Sequence, residues 1–164
     1  MSAHTWSLVP PFVPAYADSA WGFASDAGTR RRRERSAATQ RDWIAESFCY
    51  VTTRGRRTGR PHQIEIWFGA SPTRSNRIYL LSGGGDRSDW VRNVVADSAV
   101  QVRIGGREWQ GSAAVVTSQD EEVEARHVLA AKYQRWRAGR ALSNWARTAL
   151  PVAIDLSEPV ARRP

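Results

Sequence analysis

Two short segments carry residues whose types and spacing could do chemistry. The first is Arg54-Gly55-Arg56-Arg57-Thr58-Gly59-Arg60, with four arginines, two glycines and no acid. Guanidinium forks grip phosphate or carboxylate oxygens, and turn glycines let backbone N–H groups approach the same anion. Like charges this close repel, so the segment reads as an anion cradle or, about equally well, as a solvated turn. The second is Ser82-Gly83-Gly84-Gly85-Asp86, a strand running through a glycine loop into a helix start. Lacking Cβ atoms, the loop lets a flat ring or a phosphate lie against the backbone, and the helix start adds free N–H groups. It matches neither the dinucleotide fingerprint nor the P-loop, and a plain turn explains it as well.

Other chemistries find little support. His4, His62 and His127 lack metal-ligand spacing, and no G-x-S-x-G elbow occurs. The single cysteine, Cys49, lies in an apolar run and reads as buried rather than nucleophilic. Glu121, Glu122 and Glu124 suit the solvated first turn of a helix. Trp90, Trp109 and Trp145 read first as core. No catalytic residue and no metal site is therefore named.

The elements that must position the two segments follow from local pattern. A short helix is expected over 40–47. Phe48 to Thr53 and Pro61 to Gly69 read as two strands of a hairpin with the basic segment at its tip; Ile64, Ile66 and Phe68 share one face, Glu65 and Trp67 the other. Ile78 to Ser82 is a third strand, and Trp90, Val91, Val94 and Val95 sit at helical spacing behind an N-cap at Asp86. Val100–Ile104 and Arg107–Val116 form a hairpin across Gly105-Gly106. Ser118 opens a helix whose apolar stripe is Ala125, Leu129, Tyr133 and Trp136, and Pro151 to Leu156 is the last strand. About six strands, mainly in hairpins with flanking helices, describe a closed or nearly closed antiparallel barrel.

Length and composition bound the rest. The 164 residues suffice for one ordinary domain, and 24% charged with 41% hydrophobic residues is a globular balance. Residues 1–36 mix prolines with small residues and end in an arginine run, so they read as a disordered leader before a domain at 37–164. The net charge of +8 asks for an anionic partner, but no nucleic-acid motif accompanies it. The N-terminus lacks the basic-then-apolar pattern of an export signal, and one cysteine fits a reducing cytoplasm.

Taken together, Thr52 to Pro61 resembles the T-T-x-G-R-[KR]-[ST]-G-x-P hairpin of the deazaflavin-dependent nitroreductase family. The likeness continues in order through Tyr79 to Ser82, the glycine loop, the helix with Trp90 and Asn93, Val100 to Arg103, and Trp145 to Val152. The resemblance implies a split β-barrel, often dimeric, that uses reduced coenzyme F-420 to reduce quinones, nitroaromatics or other conjugated small molecules. That coenzyme carries a phosphate and an oligoglutamate tail. The family positions imply cofactor binding by Arg56, Arg57, Thr58, Gly59, Ser82, Gly84, Gly85, Trp90 and Asn93, and Arg60, His62 and Gly83 are expected to bind the cofactor with them. The acceptor is expected near Tyr133, Trp136 and Trp145. His62 stands where many members have Arg, and Gly83 where many have Lys. Those departures keep open an FMN-binding member of the same fold, or a non-enzymatic basic module that binds an anionic ligand or nucleic acid.

Overall fold

The computed structural model describes residues 42–159, with side chains as far as Ser157; the leader expected over 1–36 lies outside them. Seven strands form one antiparallel sheet: β1 (Cys49–Arg54), β2 (Pro61–Ile66), β3 (Phe68–Ala70), β4 (Arg77–Ser82), β5 (Ala99–Ile104), β6 (Arg107–Val115) and β7 (Leu150–Pro159). Their order is β2-β1-β5-β6-β7-β4-β3. Three helices accompany them: α1 (Asp89–Ala96), α2 (Gln119–Gln134) and α3 (Asn144–Thr148).

The two edge strands, β2 and β3, are separated in the chain by Trp67 alone. The sheet must therefore curl until its edges meet at that residue. This corrects the expectation of one strand over 61–69 and of six strands in all. Alternation of apolar residues runs unbroken through Trp67, so periodicity cannot reveal that the ladder changes partner there, from β1 to β4.

Strand alternation fills the curled interior. Val51, Ile78, Leu80, Val100, Val102, Ile104, Val152 and Ile154 are all buried there with Trp109. Helix α1 plugs one end of the barrel with Trp90, Val91 and Val94. Val95, expected on that stripe, is 73% exposed. Asn93 is the buried residue instead, for a polar reason given below. The cap also differs: Asp86 sits in a 3-10 turn over Gly85–Arg87, and Ser88 precedes the helix. Gly105 and Gly106 turn between β5 and β6 at φ 54° and 77°, the left-handed pair that a two-residue hairpin needs.

Helix α2 covers the outer face of β4 and β7, burying Ala125 and Leu129 against Tyr79, Leu81 and Ala153. Polar pairs fasten it at the rim. Arg77 bridges Glu121 and Asp155, and Tyr79 donates to Glu124 at 2.9 Å. The helix ends at Gln134, with Arg135 left-handed at φ 53°, so Trp136 falls outside the stripe predicted for it.

Candidate functional site

The hairpin tip is a closed turn. Gly55 N–H donates to the Arg60 carbonyl at 2.8 Å, and Arg60 N–H reaches Thr58 Oγ1 at 3.3 Å. Its four arginines take different roles. Arg56 folds back onto α1, where its guanidinium donates to Asp89 Oδ1 at 2.9 Å and to Asn93 Oδ1 at 3.1 Å. The hydrogen bond from Arg56 holds the Asp89 carboxyl below the usual carboxylate range. Arg57 and Arg60 stay exposed, and among the described residues no acid pairs with either. The cradle expected from four arginines thus presents Arg57 and Arg60 outward, while Arg56 serves as its anchor.

Asn93 is 3% exposed and uses both ends of its amide. Its Oδ1 accepts from the Arg56 backbone and guanidinium, and its Nδ2 donates to Thr53 Oγ1 at 3.1 Å. Thr53 in turn donates to the His62 carbonyl at 3.3 Å. A buried amide with every group satisfied fixes geometry, because any displacement strands a polar atom. Helix α1 follows the glycine loop after one 3-10 turn and Ser88, so this lock ties the basic tip to the helix into which the loop leads. Trp90, predicted to bind cofactor, is packed into the barrel core behind it.

The glycine loop is shaped from below by Ser82, which donates to the Gly85 carbonyl at 3.0 Å and lies 2.9 Å from Ser88 Oγ. Gly83 and Gly84 are exposed, and Gly85 adopts φ 61°. A Cβ on Gly84 would come within 2.5 Å of Ser88 Oγ. One on Gly83 would stand 3.9 Å from the Trp145 indole.

Trp145 leads from the loop to a cleft of about 230 Å³ lined by Phe48, Glu65, Ile66, Trp67, Leu81 and Trp145. Trp67 stacks on Tyr133 at 4.5 Å with 4° between the planes, and meets Trp145 edge-on at 5.4 Å. Of the three predicted acceptor residues, Trp145 lines this cleft and Tyr133 backs it. The Tyr133 hydroxyl is occupied, 2.9 Å from the carbonyls of Ser47 and Phe68, and burial pushes its pKa up to about 12. Trp136 lies elsewhere, stacked on His127 at 4.1 Å and donating to the Arg140 carbonyl. Phe48 and Leu81 were not singled out from sequence; Glu65, Ile66 and Trp67 stood out there only as a departure from the family's small and apolar pattern, with Glu65 expected to disfavour negative charge near a ring. The available signal was a tryptophan and a glutamate on the outward face of a strand whose inward face is aliphatic.

Further contacts brace the cleft wall. Arg126 is held by Glu122 at 2.6 Å and caps α3 by donating to the carbonyls of Ala146 and Ala149 at 2.6 and 2.8 Å. Lys132 donates to the carbonyls of Ile44 and Glu46 at 3.0 and 2.7 Å, and so ties down the segment that leads into Phe48. Cys49 is fully buried beneath, and burial pushes its thiol up to about 12. Among the described residues no group of His, Cys, Asp and Glu could hold a metal ion.

A curled antiparallel sheet whose edges meet beside an aromatic cleft, flanked by a glycine loop and a basic hairpin, defines a split-barrel ligand-binding protein. The chain belongs to the F420H(2)-dependent quinone reductase family, whose model matches residues 26–157. It is a deazaflavin-dependent oxidoreductase, and its cofactor is coenzyme F-420. No curated protein matches it.

Solved structures share the fold at low identity. An F420 reductase superposes with a TM-score of 0.51 at 12% identity, over 73% of this chain and 94% of that one. A conserved hypothetical protein of Mycobacterium tuberculosis gives 0.57 at 15%, over 75% and 81%. General Stress Protein 26 from Bacillus anthracis gives 0.51 at 14%, over 73% and 88%.

Proposed function

We propose that this chain transfers hydride equivalents from reduced coenzyme F-420 to a conjugated acceptor, a quinone or a nitroaromatic. The observation that supports it is the continuity of three surfaces. The outward Arg57 and Arg60 lie on a tip locked to α1, a single 3-10 turn joins the glycine loop to α1, and Gly83 abuts the indole that walls the aromatic cleft.

The residues present fit such a coenzyme. Its phosphate and oligoglutamate tail find two guanidinium groups without acidic partners, with Arg87 exposed at the loop. Its flat ring finds a backbone shelf at Gly83 and Gly84. His62 and Gly83, which stand where many members carry cations, leave Arg60 and Arg87 to supply the charge. When bound in reduced form, the coenzyme supplies two electrons and a proton's mass as hydride.

The chain's own part is binding and orientation. Arg57 and Arg60 hold the anionic end. Gly83 and Gly84 let a ring approach the main chain, which any side chain would prevent. Trp67 and Trp145 hold a flat acceptor, and the apolar walls exclude water. At about 230 Å³ the cleft falls below the roughly 300–1,000 Å³ of common ligand pockets. It therefore takes the acceptor ring alone, with the coenzyme along the loop. No nucleophile is required, which agrees with the absence of a triad from the sequence. The reading includes a cytoplasmic homodimer, which size-exclusion chromatography with light scattering tests.

Titration with coenzyme F-420, FMN and FAD, followed by stopped-flow oxidation of F420H2 by quinone and nitro acceptors, tests the function. Binding of the deazaflavin with turnover of at least one acceptor is expected. Preference for FMN would overturn the cofactor placement, and binding without any turnover would overturn the reductase reading.

A further inference from the structure

The cleft carries a single charged group. Five of its lining residues, Phe48, Ile66, Trp67, Leu81 and Trp145, are apolar or aromatic, and the sixth is Glu65. No lysine or arginine lines it. Glu65 is exposed, and among the described residues no cation forms an ion pair with it. Its charge is therefore not cancelled inside the protein.

The sheet sets what stands beside that carboxylate. Glu65 pairs across the ladder with Tyr50, which pairs with Arg103. Glu65 stands beside the Tyr50 phenol and raises the tyrosine's pKa. Arg103 is stacked on the same ring, 4.2 Å over its centroid. Tyr50 thus stands between the only nearby guanidinium in this ladder row and the carboxylate. A bare carboxylate beside electron-rich indole faces favours positive charge twice, once by Coulomb attraction and once through the ring quadrupoles.

We infer that Glu65 sets the charge specificity of this cleft, admitting flat aromatic molecules that are neutral or cationic and rejecting those that carry an anionic group. This rests on the cleft being the acceptor site and adds the class of acceptor. Anionic naphthoquinones and nitrobenzoates are poor ligands; uncharged or quaternary-ammonium analogues are good ones.

The test is isothermal titration of the cofactor-free full chain with three 1,4-naphthoquinones that bear a trimethylammonium, a hydroxyl or a sulfonate on the same arm. Wild type is expected to bind the cation about tenfold more tightly than the sulfonate, as a half-solvated pair at contact distance allows. Glu65→Gln should bring all three within about twofold of one another, and 1 M salt should narrow the wild-type difference in the same direction. Glu65→Asp should retain the order. Equal wild-type affinities, or a cation preference that survives Glu65→Gln, would overturn the inference. If none of the three binds, both the inference and the acceptor-site reading fall. If charge selection is found but F420H2 oxidation rates do not follow it, the inference stands and the acceptor-site reading falls.

Discussion

The backbone N–H of Arg56 donates to Asn93 Oδ1 at 3.1 Å, and the guanidinium of the same arginine donates to that oxygen, also at 3.1 Å. One buried amide therefore holds both the turn and its side chain. Through Nδ2 it also grips Thr53 on β1. The motif arginine best matched to an anion is an internal strut, and the strut sets where its neighbours Arg57 and Arg60 point.

Asn93→Ala should be costly. It strands the Arg56 N–H and removes the partner of Thr53, so a loss of about 1–3 kcal/mol in denaturant stability is expected, with weaker coenzyme binding. Asn93→Asp keeps the acceptor oxygen for Arg56 but replaces the donor to Thr53, and should fall between the two. Urea melts beside a coenzyme titration measure both quantities; an unchanged midpoint for Asn93→Ala would remove the lock.

Arg57→Ala and Arg56→Ala should separate binding from stability. Arg57 is exposed and unpaired within the described residues, so its loss should leave the melting midpoint in place and weaken coenzyme affinity by about 1–3 kcal/mol. Arg56→Ala breaks a pair with a well-exposed Asp89 and the contacts of its guanidinium with Asn93, and should lower stability and affinity together. Identical behaviour of the two variants would contradict the division of roles.

At the glycine loop the informative position is Gly83 rather than Gly84. A side chain at Gly84 collides with Ser88 Oγ and disturbs the loop itself. Gly83→Val has room within the protein, 3.9 Å from Trp145, and should fold normally while blocking the ring shelf. A tenfold or greater loss of affinity is expected, about 1.4 kcal/mol. Wild-type affinity would reduce the loop to a turn.

Arg126→Met should act on the acceptor through Trp145. The substitution keeps an unbranched apolar stem and removes the donors to the Ala146 and Ala149 carbonyls. Looser seating of α3 should raise KM for the acceptor several-fold while coenzyme affinity holds, and Arg126→Lys should restore part of the loss. Equal damage to both constants would mark a general structural effect instead.

Cys49 gives a pH prediction of definite sign. Folding raises its thiol from 9.0 to about 12, so between those values the unfolded chain has lost a proton that the folded chain keeps. The unfolded state then binds fewer protons, and stability falls as pH rises. Wild type should lose stability more steeply than Cys49→Ala across that window, by up to ~1.4 kcal/mol per pH unit. Parallel curves in urea melts from pH 8 to 11 would contradict it.

The sequence by itself determined most of the local elements and picked out the basic turn and the glycine loop. Alternation fixed the β1–β2 hairpin and its basic tip, Gly105-Gly106 fixed the second hairpin, and the order of motifs identified the family. These depend on neighbours a few residues apart, where sterics and periodicity decide. What tertiary structure alone decided was which polar groups are used up and which remain. Four arginines in one turn look alike in sequence, yet Asp89 and Asn93 select Arg56, because only the packing of α1 into the barrel mouth brings those oxygens within 3.1 Å. Likewise Glu65, Trp67, Leu81 and Trp145 come from β2, the corner, β4 and α3. Only Glu65 and Trp67 are local to one another: they meet Leu81 and Trp145 because the sheet closes at Trp67, and closure is a property of the whole ladder.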